Sequence, residues 1–380
     1  MFRRQNEILK YIELFFLIVL TVGPFPPIAK MVLYFFVLLM NLKEIHLLLC
    51  KKGVEWFHIF LIFSIIIPMA LDIRNIDSST SYALSGFAFF APFVFCLVYT
   101  LAFEKNEFLY KLEQVIFVIT IISIIGFSIT SFIPSIIDSF PTVSFYGRKV
   151  YTIGIYGAIH DFSATNFLSR NCGIAFEPGA FQFIPNLGLA LLFCFKGKER
   201  NLKFWLKILI YTISVLTTYS STGIIVLSLI IIIGSFSNRK QFFLMFLTIA
   251  ILNSVFLTSI QYQIGKMETG NFSERFEPTI RVLQNYSQHI FGIGSTGYDK
   301  EYSLNPMIGS WDTFSNMYLR FGLPFTAFLI FMCARLCKLS PLICLTVVLS
   351  FMTESLIGPI TVMLFYYAIQ PTNEIKNKTI

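Results

Sequence analysis

Long apolar runs joined by short charged loops make up most of the chain, and two polar stretches break the pattern. The apolar runs cover roughly 11–23, 27–42, 56–71, 82–103, 115–133, 178–195, 204–219, 222–236, 241–259, 313–334, 341–353 and 355–370. They are continuous rather than alternating, which predicts helices and not the strands of a membrane barrel. The expected fold is therefore all-α: a polytopic integral membrane protein with about 12 transmembrane helices. Several runs fall short of the ~20 residues of a full span. The first two can form a re-entrant hairpin through Gly23-Pro24-Phe25-Pro26-Pro27, and the last two a similar one around Glu354. No internal repeat or separate soluble unit is evident, so residues 1–380 read as a single membrane domain. Within it, 134–177 and 260–312 form two long polar loops.

Composition agrees with this reading. The chain is 56% hydrophobic, 17% aromatic and 13% charged, with a mean hydropathy of +0.72. Soluble domains carry about 25% charge. The net charge of +8 does not signal nucleic acid, because of where it lies. With the N-terminus in the cytoplasm, 19 of the 29 lysines and arginines fall in short loops or termini on that side. This is the positive-inside bias, and it places both termini in the cytoplasm and both long loops outside. Most of the seven cysteines lie in or near apolar runs, so no disulfide framework is expected. Met1 to Lys10 leads into the first span without a small-residue cleavage site, so no cleavable signal peptide is expected.

The candidate chemistry lies in the two loops. The first carries Arg148, His160, Arg170 and Glu177. Pro178 after Glu177 predicts a helix start, with Glu177 near the cap. A helix start attracts anions, and the planar fork of Arg170 suits phosphate oxygens; snorkelling to lipid or pairing with Glu177 is the plainer role for that arginine. The second loop carries Arg275, Arg281 and His289. The two arginines flank Pro278, a helix-opening residue, and could clamp one diphosphate or be neutralised by Glu274 and Glu277. Arg281, Asn285 and His289 share four-residue spacing and hence one helix face. Gly292-Ile293-Gly294-Ser295-Thr296-Gly297 matches a dinucleotide pattern in letters, but no strand–turn–helix surrounds it, so it reads as a turn returning the loop to the membrane. His160, beside Asp161, and His289 are candidate bases, and no metal-ligand spacing is present. Asp312 and Asn316 open the tenth span on one face, where Asp312 can cap the helix and the pair can line an acceptor-sugar site. Tyr219-Ser220-Ser221-Thr222-Gly223 reads as a tight structural turn.

Taken together, these motifs resemble the O-antigen polymerase and ligase superfamily over roughly 165–335. The matching residues are Arg170, Gly173, Glu177 and Pro178; the turn from Thr218 to Gly223; Arg275 and Arg281; Gly292-Ile293-Gly294; and Asn316 to Gly322. The Arg170–Pro178 element is more like the polymerase branch. The ligase branch usually has a histidine beside the asparagine entering the late helix, and Asp312, Thr313, Phe314 and Ser315 supply none.

The resemblance implies a bacterial cytoplasmic-membrane glycosyltransferase that joins undecaprenyl-diphosphate-linked repeat units, without cofactor or nucleotide sugar. It implies membrane lipid, a chain-length regulator and a flippase as partners, and no nucleic acid. Arg170, Glu177 and Arg281 are the expected catalytic residues. Arg275, His289, Asp312, Asn316, Arg148 and His160 are the expected substrate-binding residues. A ligase and a lipid-linked oligosaccharide flippase are the alternatives, and a scaffold without chemistry would not need the outer arginines. The spans carry little charge beyond interfacial residues such as Glu13, Lys30 and Glu354, which weighs against transport.

Overall fold

The computed structural model describes residues 2–23, 105–145, 148–160, 169–195, 201–235, 312–354 and 356–369, with scattered positions at 32–39 and 280–298. Of the described residues, 79% are helical. In chain order the helices are α1 (Phe2–Val22), α2 (Lys105–Phe132), α3 (Pro178–Phe181), α4 (Phe183–Phe195), α5 (Leu202–Thr217), α6 (Ser221–Ser235), α7 (Thr313–Leu339), α8 (Pro341–Phe351) and α9 (Pro359–Ile369). Of the expected spans, 56–71, 82–103 and 241–259 lie outside the described residues.

Two of these helices, α2 and α7, are long and apolar enough to cross a membrane. The best window of α2 has a mean hydropathy of 2.5, yet only 33% of it is buried inside the protein. Val118, Ile125, Ile129 and Phe132 stand exposed along it at helical spacing. A helix this apolar and this uncovered is suited to lipid rather than water.

The centre of the bundle is α4. Phe183, Ile184, Leu187, Leu189, Ala190 and Leu191 are all 0% exposed, as expected of a helix that is apolar all round. It packs against α2, α5, α6 and α8. The last two expected spans appear as α8 and α9, each 11 residues long. At ~16 Å each they reach about half the bilayer core. They are separated by a break at 352–358 that carries Glu354.

α2 begins at Lys105, ahead of its apolar run, because its charged first turns are paired. Lys10 of α1 donates to Glu107 at 2.6 Å, and Lys111 pairs with Glu7 and Glu107. Lys207 of α5 lies 2.8 Å from both carboxylate oxygens of Glu113, and the Tyr211 hydroxyl donates to the same carboxylate at 3.0 Å. The Glu113 residue is 3% exposed. This network ties α1, α2 and α5 together at one end of the bundle.

The first polar loop contributes something the helical reading did not include. After a 3₁₀ turn at Pro134–Ser139, the chain forms an antiparallel sheet of β1 (Thr142–Phe145), β2 (Arg148–Thr152), β3 (Gly157–His160) and β4 (Ser169–Gly173), in that spatial order. Val150, Tyr156, Ala158 and Cys172 are buried. The Tyr156 ring lies where a Cβ on Gly126 of α2 would be 2.5 Å away, and its hydroxyl is 3.0 Å from the Thr130 hydroxyl. Burial pushes the Tyr156 phenol above its usual range, against a smaller opposite pull from the Thr130 bond. The sheet therefore seats on the C-terminal turns of α2, and β4 also contacts α3 and α5.

The Glu113–Lys207 pair generates a stability prediction. Lys207→Met leaves a buried carboxylate without its cation and should cost about 3–5 kcal/mol in detergent unfolding. Lys207→Met with Glu113→Gln should recover most of that loss. A double variant as unstable as the single would contradict the pairing.

Candidate functional site

Helix ends gather at the end of the bundle opposite the charged network, and the described site residues collect there. Arg170 lies on β4 and reaches the corner after α5. Its Nε donates to the Thr218 carbonyl at 3.2 Å and its Nη2 to the Tyr219 carbonyl at 3.4 Å. Carbonyls past a helix C-terminus carry partial negative charge, so the guanidinium caps α5. Tyr219 itself has φ +49, a left-handed value rare for a residue with a Cβ. Asn171 reinforces the join by donating to Thr217 Oγ1 at 2.9 Å, while its own Oδ1 accepts from the Gly173 N–H.

Glu177 takes the expected place. It is the extended N-cap residue of α3, with Pro178 at the first position, and its side chain does not bond the cap. It is 9% exposed. The ladder then runs on, with Gln182 N–H donating to the Pro178 carbonyl and Asn186 N–H to the Gln182 carbonyl. Thus α3 and α4 act as one rod whose start is Glu177-Pro178.

Against that start lies Glu354, read from sequence as interfacial and here 4% exposed. Its Oε1 approaches Gly179 so closely that a Cβ would have no room. The helix start expected to attract an external anion thus has an internal carboxylate beside it. The Thr313 hydroxyl donates to the Glu354 carbonyl at 2.6 Å, and its Oγ1 accepts from the Leu356 N–H at 3.1 Å. Thr313 thereby fixes the α8–α9 break to the start of α7.

Asp312 caps α7 in the manner expected, its carboxylate accepting from the Ser315 N–H at 2.7 Å. One turn on, Asn316 is 7% exposed. Its Oδ1 has no hydrogen-bond partner among the described residues. This arrangement requires α7 to bend. A straight 27-residue helix would span about 40 Å, far more than α8, so Thr313 could not meet Glu354. Gly322, at φ +76, supplies the kink. The second polar loop docks there: Ile293 N–H donates to the Leu319 carbonyl and Leu323 N–H to the Ile290 carbonyl, both at 2.8 Å. Arg320 lies over the Tyr298 ring at 4.2 Å. The expected return turn at Gly292-Ile293-Gly294 is therefore held against the kink.

The structure connects Arg170, Glu177, Asp312 and Asn316 through contiguous elements. His289 is exposed in the docked turn, its carbonyl accepting from the Gly292 N–H. Arg148 and His160 are placed by backbone, Arg148 opening β2 opposite Phe145 and His160 closing β3 opposite Ser169. Arg275, Arg281 and Asn285 lie outside the described residues, and with them the helix face expected to join Arg281 and Asn285 to His289.

Sequence reading passed over the polar residues inside the apolar rod. Gln182, Asn186 and Ser350 are all 0% exposed. Gln182 donates to Ser350 at 3.4 Å, and Asn186 donates to Gln182 at 2.8 Å and to the Gly223 carbonyl at 3.1 Å. Asn186 Oδ1 has no partner among the described residues. Their signal was the four-residue spacing of two amides within an apolar run. Below Asn186 the rod continues as Leu187, Leu189, Ala190, Leu191 and Leu192, so the polar network stops about two turns in.

Compared with known proteins, the chain matches no family model, no curated protein and no solved structure.

The Glu354 contact can be measured through a double-variant cycle. Gly179→Ala should lower thermal stability markedly, and in a Glu354→Ala background it should cost far less. Equal losses in both backgrounds would contradict the contact. Asp312→Ala should cost about 1 kcal/mol, as loss of an N-cap does.

Proposed function

We propose that the protein is a polysaccharide repeat-unit polymerase of the bacterial cytoplasmic membrane. In this reading about 12 spans cross the bilayer, both termini are cytoplasmic, and the end carrying Arg170, Glu177, Asp312 and Asn316 faces outward. The observation that carries it is the one-sided gathering of these groups. Arg170 reaches the corner after α5, Glu177 starts α3, and Asp312 and Asn316 start α7, which Thr313 ties to Glu354 beside Gly179; the Gln182–Asn186 network in the rod ends about two helical turns in. Such a layout suits chemistry at the membrane surface better than passage through it.

The reaction joins two undecaprenyl-diphosphate-linked repeat units. An acceptor hydroxyl attacks the donor anomeric carbon, the new glycosidic bond forms, and the bond from that carbon to the diphosphate oxygen breaks. The hydroxyl proton passes to a carboxylate, for which Glu177 is the first candidate. Undecaprenyl diphosphate leaves with the bonding pair. Charge on the departing diphosphate is greatest in the transition state, so fixed cations there accelerate the reaction. Arg281 and the N–H groups of Arg170 not spent on α5 are assigned this role, with Arg275 and Arg148 binding the diphosphate. Asp312 and Asn316 are assigned to the acceptor sugar. The Asn316 oxygen, which has no partner among the described residues, supports this, since a buried acceptor gains most from a donor such as a sugar hydroxyl. His160 and His289 are assigned to the glycan. A flippase would supply the lipid-linked units and a regulator would set chain length.

The test is a gel of surface polysaccharide from a strain lacking the gene. Product reduced to one repeat unit on its normal anchor, with a ladder restored by the wild-type gene, is expected. Full-length chains retained on undecaprenyl diphosphate would indicate the ligase instead. Single units trapped on the cytoplasmic leaflet would indicate the flippase, and an unchanged ladder would remove all three. Arg281→Ala should remain in the membrane yet fail to restore the ladder. It is the cleaner probe, because Arg170→Ala also removes the cap on α5. A wild-type ladder from Arg281→Ala would sink that assignment.

A further inference from the structure

The β2–β3 hairpin ends in a tip that its surroundings do not explain as a water-facing turn. Its residues are Ile153, Gly154 and Ile155, where turns in water usually carry polar groups. Ile153 is 51% exposed and Ile155 45%. Gly154 has φ +86 and open space around it.

The depth of the tip is fixed by its neighbour. Tyr156, next to Ile155, lays its ring on Gly126 of α2 and bonds Thr130. Gly126 lies about 9 Å before the end of α2 at Phe132. At this level α2 exposes Ile125 and Ile129, and beyond them Phe132 and Ile133 are 86% and 53% exposed. The tip thus continues the uncovered apolar stripe of a membrane-spanning helix rather than standing above it.

Part of the tip's backbone is bonded within the hairpin. Ile153 N–H donates to the Tyr156 carbonyl at 3.0 Å, and Gly154 N–H donates to Thr152 Oγ1 at 3.0 Å. The Thr152 hydroxyl donates in turn to the Tyr156 carbonyl at 3.1 Å. Each such bond lowers the cost of placing that group in apolar surroundings, while the carbonyls at the point of the tip stay at the level of the polar headgroups.

We infer that the Ile153–Ile155 tip is a lipid-binding wedge that inserts into the bilayer leaflet around the C-terminal turns of α2. It anchors the four-stranded sheet at the membrane surface, with acyl chains as its ligand. The amphipathic hairpin, not a helix, is the anchoring element. The inference does not depend on which reaction the protein catalyses.

The experiment uses the full chain in phosphatidylethanolamine–phosphatidylglycerol vesicles. Ile155→Trp and, separately, Ile153→Trp each place an indole at the tip, with the wild-type chain as the background for its three native tryptophans. Lipids brominated at shallow or deep acyl carbons and aqueous iodide serve as quenchers. The added emission should be quenched several-fold more by shallow bromines than by iodide, and less by deep ones. Quenching by iodide but not by bromolipid would overturn the inference. Quenching by neither would also overturn it, by showing the tip covered by protein such as a second copy. Neither site belongs to a buried core cluster, so both variants should fold; agreement between the two positions guards against a local disturbance at one.

Discussion

Much of the site end of the bundle depends on where the fold keeps one carboxylate. Glu354 lies in a break between two half-length helices, nearly excluded from solvent, against a glycine at the start of the central rod. A buried carboxylate is costly unless it is compensated. Its position beside the first turn of the α3–α4 rod puts it where helix backbone N–H groups carry partial positive charge. The same segment is held by the Thr313 hydroxyl, which bonds Glu354 and Leu356 within the break. Holding α7 to that break requires α7 to bend, and the bend at Gly322 in turn gives the second polar loop its seat. The absence of a side chain at Gly179 thus bears on elements far apart in sequence.

This constraint also explains how much of the molecule could be read from sequence. Local signals performed well. The Glu177-Pro178 start, the Asp312 cap, the Gly292–Gly294 turn and the half-length pair around Glu354 all follow from side-chain chemistry a few residues wide, and the structure shows each. The sheet between Thr142 and Gly173 was less legible, because its strands are four or five residues long and their buried face is supplied by α2. The role of Glu354 could not be seen either. Its partner Gly179 is distant in the chain, and a glycine gives no sign of what lies above it. Arg170 was legible as a cation near a helix start, but its pairing with carbonyls after α5 arises from tertiary contact.

The observed cap and the role proposed for Arg170 need not compete. A guanidinium that caps one helix is held rigidly, and rigid cations stabilise developing charge without the cost of reorganisation. Among the described residues, the side-chain oxygens of Asn186, in the central rod, and Asn316, in the first turn of α7, have no hydrogen-bond partner. Buried polar atoms without partners are uncommon in folded proteins. In the proposed reading the acceptor sugar completes the bonding of Asn316. The opposite end has a different character: Lys10, Lys111 and Lys207 are matched there by glutamates, which suits a clamp. In the proposed reading one end holds the bundle together and the other does the chemistry.

The most direct measurement of that claim is reconstitution of the purified chain in vesicles with undecaprenyl-diphosphate-linked repeat units and no nucleotide sugar, cofactor or other protein. Chains of several repeats should appear, with free undecaprenyl diphosphate released in proportion to the bonds formed. Repeat units that remain single, with no carrier released by protein that is folded and inserted, would contradict the account.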